Sequence, residues 1–216
     1  MIFQLKSLND KELNEMYQEG VNKLDDFFNL KPYYRPHVAL LDDRNTIDRL
    51  RYEKSPSWLV AWTNHNIIYI LKREVIESQS NHKAKSLPQY KALLLHELCH
   101  AYLNHLYKRL IKPRWLIEGL CKYVSGQLDY AERPQKFSGF LDGYEYDYKI
   151  ANKAVYQESG FAIEYLIEKF GNEKLLLLVD EAKFINTRTE FEALFKKIYG
   201  FELEYRNFKL ITEKIL

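Results

Sequence analysis

One stretch of the chain, from Ser86 to Leu106, reads as a single buried helix, and it carries His96-Glu97-Leu98-Cys99-His100. Ser86 is expected to cap it, Gln89 to answer as the reciprocal capping partner, and Pro88 to sit in the first turn. From Tyr90 to Leu106 there is no Gly or Pro, and Ala92, Leu93, Leu95, Ala101, Tyr102, Leu103 and Leu106 make the surface apolar on most sides. A histidine inside such a helix needs a partner. Residues four apart share a face, so His96 and His100 can aim two imidazole nitrogens at one metal ion, with Glu97 beside that face and within reach of a water. Hydrogen-bonded core histidines are the alternative at this stage.

Two imidazoles do not complete a catalytic zinc site, which takes a third protein ligand and leaves a fourth position to water. Pro113 to Gly126 reads as the next helix, opened by the proline and closed by the glycine. The first helix continues past His100, the chain turns near Arg109 to Lys112, and the second helix comes back. At about 1.5 Å rise per residue the outward and return lengths nearly cancel, so an antiparallel pair brings Glu118 alongside the histidines. A metal dication suits an acid in an apolar helix. An ordinary pairing of Glu118 with Arg114 or Lys122 is the competing explanation.

Three pieces of sequence together resemble the gluzincins, the zinc peptidases that combine HExxH with a glutamate on the following helix. They are His96-Glu97-Leu98-Cys99-His100, Trp115-Leu116-Ile117-Glu118-Gly119-Leu120-Cys121, and Tyr156-Gln157-Glu158-Ser159-Gly160-Phe161-Ala162. Thermolysin and the aminopeptidase N-like enzymes belong to that group, and the small peptidase MA-like domains are more similar still. The resemblance runs from about Ile67 to Gly171 and is weak at both ends. Cys121 stands where the family has a small Ala, and the interval from His100 to Glu118 is shorter than in the aminopeptidases.

The resemblance implies that His96, His100 and Glu118 hold Zn²⁺ and that Glu97 is the general base. It also implies that Tyr156 hydrogen-bonds the oxyanion formed in peptide hydrolysis. Among 17 tyrosines, Tyr123, Tyr146 and Tyr148 compete with Tyr156 for that role. The strand before the motif helix pairs with extended substrate in zincins, which makes Ile67, Ile68, Tyr69, Ile70 and Leu71 the expected substrate-binding edge. Peptide or protein is then the expected partner, with an endopeptidase or oligopeptidase mode favoured because no aminopeptidase-type anchoring motif precedes His96. Two other readings stay open: a non-catalytic, zinc-stabilised binding module, and a regulatory protease acting on one cytosolic protein. His105 falls off the metal-facing side and is expected to be a solvated helix-end residue.

With 46% hydrophobic and 29% charged residues the chain is globular. A net charge of +2 gives no ground for a nucleic-acid or anionic-membrane partner. Apolar runs such as Trp58 to Ala61 and Leu175 to Val179 are too short to cross a bilayer, and Met1 to Asp10 has no export-signal pattern, so a cytoplasmic location is expected. Cys99 and Cys121 are expected to pack the two metal helices together as small buried hydrophobes.

The expected fold is α+β, one zincin-like unit over residues 1–216. A small mixed lobe with a short sheet occupies residues 1–87, and a mainly helical part carrying the active-site helix occupies 88–216. Helices are expected over Leu8 to Phe28, Asp42 to Tyr52, Asn152 to Phe170, Glu173 to Ala182, from Thr189 to near Gly200, and over Glu202 to Leu216. Strands are expected over His37 to Leu41, Trp58 to Thr63 and Ile67 to Leu71, the last two joined through Asn64-His65-Asn66. The aromatic stretch Leu128 to Tyr148 is expected to be partly helical or to rim the cleft.

Overall fold

A computed structural model describes residues 10–30, 34–108, 112–144 and 153–211. Asp10 opens helix α1 (Lys11–Phe27), its side chain accepting the Leu13 N–H at 3.0 Å. Strand β1 (His37–Leu41) follows, then α2 (Arg44–Arg51), capped by Asp43, strands β2 (Ala61–Asn64) and β3 (Ile67–Leu71), and α3 (Arg73–Gln79). The helical part comprises α4 (Leu87–Tyr107), α5 (Arg114–Ser125), α6 (Lys153–Phe170), α7 (Asn172–Ala182) and α8 (Arg188–Tyr199). Single 3₁₀ turns lie at Gln127–Tyr130, Phe140–Asp142 and Tyr205–Asn207. The molecule is thus α+β, with a small mixed sheet and a mainly helical C-terminal part. No helix among the described residues is long and apolar enough to cross a membrane.

The sheet order is β1-β3-β2, with β1 parallel to β3 (His37 opposite Ile67, Leu41 opposite Leu71) and β2 antiparallel to it (Asn64 opposite Ile67, Ala61 opposite Ile70). This corrects the expected substrate edge. Ile67, Ile68, Tyr69, Ile70 and Leu71 form the central strand, their backbone groups engaged on both sides. The sequence carried the reason: Ile68, Ile70 and Leu71 are fully buried, as suits a strand enclosed by neighbours. Among the described residues β1 and β2 each pair with β3 alone, so both are edges, and β2 is the one packed against α4.

Helix α4 lies across this sheet and also packs on α1 and α5. Its capping box forms as expected between Ser86 and Gln89. One core cluster runs from Met16 in α1 to Phe208, through the sheet, α4, α5 and the later helices. Residues 202–211 depart from the helix expected there, since only Tyr205–Asn207 turns helically. Phe208 instead meets Trp115, Phe137, Phe140 and Phe195 in an aromatic cluster, and Phe201 reaches Phe170. An extended chain delivers both rings into that cluster. Residues 212–216 lie outside the described residues. Helix α3 was not anticipated; Lys72 gives it no side-chain cap and it buries only Ile76, so little in its sequence announces it.

The crossing of α5 on α6 is set by backbone. A Cβ added to Gly119 would stand 2.6 Å from the Ser159 carbonyl oxygen and 2.8 Å from Ile163 Cγ1. At Gly160 of α6 an added Cβ would meet side chains instead, Leu128 Cδ2 at 2.5 Å in the 3₁₀ turn after α5 and Lys122 Cβ at 3.1 Å in α5. Gly119→Ala gains about 1 kcal/mol of helix propensity, but a backbone carbonyl cannot swing away as a side chain can. Overpacking of this kind costs roughly 1–3 kcal/mol. The variant is therefore expected to be less stable than wild type in urea unfolding, and a gain in stability would contradict the tight crossing.

Candidate metal centre

His96, Glu97 and His100 come from the middle of α4, where the helix is buried, and Glu118 comes from α5 on the returning limb of the antiparallel pair. His96 Nε2 and His100 Nε2 stand 3.1 Å apart. Glu118 Oε2 lies 3.6 Å from the first and 3.7 Å from the second. Among the described residues these three form a group that could hold a metal, their donor atoms all within 4.8 Å of one another. The donors fit zinc. Bonds of about 2.0–2.1 Å in a tetrahedral arrangement place ligand atoms roughly 3.3 Å apart, and the three separations bracket that value. Two imidazoles and one carboxylate also leave a position for water, as a catalytic rather than a closed structural site requires.

The competing explanation for Glu118 turns out to be compatible with this one. Its Oε2 faces the imidazoles, while Oε1 lies 3.8 Å from Nε of Arg114, itself only 3% exposed. Lys122, one turn on, donates instead to the Tyr156 carbonyl oxygen, and burial pushes its ammonium down. The carboxylate is thus surrounded by positive partners. Although burial opposes ionisation, the neighbouring imidazoles of His100 and His96 hold Glu118 well below the usual carboxylate range. Burial likewise works against the charged form of His100, yet the Glu118 carboxylate outweighs it and lifts the imidazole to about 9.

That balance has a measurable consequence. With His100 raised and Glu118 lowered, the metal-free pair is at full strength between the ordinary carboxylate and histidine values, 4.5 and 6.5, and loses it as pH rises through about 9 or falls below 4.5. At pH 7.5 the metal-free imidazole carries a proton that a metal must displace. Zinc binding is therefore expected to release at least one proton at that pH, the His100 proton plus a share from any acidified zinc-bound water, as read by calorimetry in buffers of different ionisation enthalpy. The His100 share of the release should fall away as pH rises through about 9, and no release at pH 7.5 would contradict the assignment.

Glu97 is 7% exposed. Thr63 of β2 places its Oγ1 2.8 Å from Glu97 Oε2 and 2.9 Å from the Glu97 carbonyl oxygen. Sequence reasoning missed Thr63, which lies far from the motif and whose sequence carries no signal of the contact. It also missed His82, in the segment leading into α4. His82 Nδ1 accepts the Ala84 N–H at 3.0 Å. Burial, reinforced by the positive fields of His96 and Lys122, pushes this imidazole down to about 4, so it is neutral beside the cluster.

Tyr156, half-buried on α6, lies with its ring under the Arg114 guanidinium, 4.6 Å from centroid to Cζ, one contact removed from Glu118. Tyr123 feels burial first and then the carboxylates of Glu168 and Glu164, which sets it towards α6. Tyr146 and Tyr148 lie outside the described residues. His105 is not simply solvated: it stacks on Tyr34 with centroids 3.9 Å apart, away from the triad. Cys99 and Cys121 are both free and fully buried, and burial, with Cys99 as neighbour, pushes the Cys121 thiol up.

No family model and no curated protein matches the chain. Among solved structures, the chain is similar to the M1 zinc metallopeptidase from Deinococcus radiodurans, at 16% sequence identity and a TM-score of 0.47. The match covers 90% of this chain and 42% of that one.

Proposed function

We propose that this protein is a zinc-dependent peptidase, most simply an endopeptidase or oligopeptidase. The observation that carries the reading is the buried convergence of His96, His100 and Glu118 with the Glu97 carboxylate on the next residue of the same helix. A structural zinc site has no use for a base beside its ligands. Zinc held there would supply a Lewis acid for the scissile carbonyl and a water acidified towards neutral pH. Glu97 takes the proton from the attacking water and returns it to the departing amine. Tyr156 donates its phenol to the oxygen on which charge develops, a contribution on the order of 3 kcal/mol for a preorganised donor. Arg114 over its ring orients that phenol. Burial of Glu97 and Glu118 keeps bulk water from competing for either carboxylate.

Of the two sheet edges β2 is the one beside α4, so an extended peptide would pair there, and main-chain pairing supports broad rather than sequence-strict recognition. The test is metal content and hydrolysis measured on one preparation. About one zinc per chain and chelator-sensitive cleavage of a quenched-fluorescent peptide library are expected. Full zinc occupancy with no cleavage of any library peptide would leave a metal-stapled helix pair and overturn the peptidase reading.

A further inference from the structure

We infer that Thr63 is a positioning residue for the Glu97 carboxylate, fixing the base in the orientation that proton transfer needs; the inference rests on the peptidase reading. The geometry is specific. The Thr63 hydroxyl has a single proton to give, and both acceptors in reach belong to Glu97: the helix carbonyl oxygen at 2.9 Å and Oε2 at 2.8 Å. A donor that sits on both draws the carboxylate against its own backbone and restricts its side-chain torsions. With Oε2 so engaged, Oε1 is the oxygen left to accept the proton.

The strand register gives Thr63 a second connection. Val60 accepts the Leu71 N–H at 2.9 Å. Antiparallel alternation then makes Trp62 with Tyr69 and Asn64 with Ile67 the exchanging pairs, and Ala61 with Ile70 and Thr63 with Ile68 the non-exchanging ones. Ala61 and Thr63 therefore turn their own N–H and C=O groups away from β3, towards the free edge. A peptide adding to β2 would bond to the backbone of the residue whose hydroxyl holds the base. Docking of the substrate and orientation of Glu97 share one residue.

Thr63→Val and Thr63→Ser separate this from a packing role. Valine keeps the β-branched shape suited to the strand and removes the donor; serine keeps the donor. On a cleaved quenched-fluorescent peptide, Thr63→Val is expected to lose about tenfold in kcat, a fraction of what a general base contributes, with KM within about twofold. Thr63→Ser should regain most of the loss, and zinc content should not change in either. Crystal structures of the zinc-loaded proteins should show the Glu97 carboxylate displaced from its own carbonyl in Thr63→Val and retained in Thr63→Ser. Wild-type kcat in Thr63→Val, or an unmoved Glu97, overturns the inference. If wild type cleaves nothing, the peptidase reading fails, and the position of Glu97 in the two crystal structures decides the role of Thr63 by itself.

Discussion

Replacing Glu97 with glutamine is expected to lower peptide hydrolysis by a factor on the order of 10³, within the range that a positioned general base supplies, while zinc content stays at the wild-type level. The change is nearly isosteric in a site where Glu97 is only 7% exposed, so no cavity opens. Thr63 can still donate to the amide oxygen, and the side chain keeps its place against the helix. What is lost is basicity: an amide cannot take up the water proton or pass it to the leaving amine. His96, His100 and Glu118 are untouched, which is why metal content separates this effect from misfolding. Hydrolysis at the wild-type rate in purified, zinc-loaded Glu97→Gln would remove Glu97 from the mechanism.

The second large effect is expected for Glu118→Ala, and it falls on metal and stability together. Loss of a direct ligand should weaken zinc binding by more than the roughly 10–100-fold seen when outer-shell partners are removed. In the metal-free protein the same change removes the carboxylate that faces both imidazoles and the buried Arg114. His100 can shed its proton in response, but Arg114 cannot. Arg114 keeps its stack on Tyr156, so the loss is expected at or below the roughly 3–5 kcal/mol of a broken buried pair, and chelator-treated Glu118→Ala should unfold at lower urea than chelator-treated wild type. Zinc affinity comes from competition against an indicator chelator. An unchanged affinity would mean that the carboxylate lies outside the metal sphere.

Which features were legible in the sequence follows from how local their causes are. The start of α4 is fixed by a reciprocal bond between Ser86 and Gln89, residues within one turn of each other. The His96–His100 face needs only helical periodicity, and Glu118 needs only two helix lengths and a turn. The strands themselves were visible, but their order was not. Whether β3 is an edge depends on where β1 docks, and that is decided by the path through α2 and β2 rather than by Ile67–Leu71. Thr63 and His82 were invisible for the same reason: each reaches the site through tertiary packing that neither neighbouring sequence announces. The last segment failed differently. Its helical-looking pattern was overridden by the packing of Phe201 and Phe208 among the aromatic rings, reached by a chain that turns helically only at Tyr205–Asn207.

Glu118 and Gly119 are consecutive, so the residue facing the metal position is rigidly joined to the one on which α6 rests. The close approach of Gly119 to the Ser159 carbonyl gives that side of the metal group no adjustable layer, and the span from Glu118 to the tyrosine-bearing helix is effectively a constant of the molecule. On the peptidase reading, adaptation to other substrates would therefore fall to the opposite side, at β2, whose link to α4 runs through a side chain, Thr63.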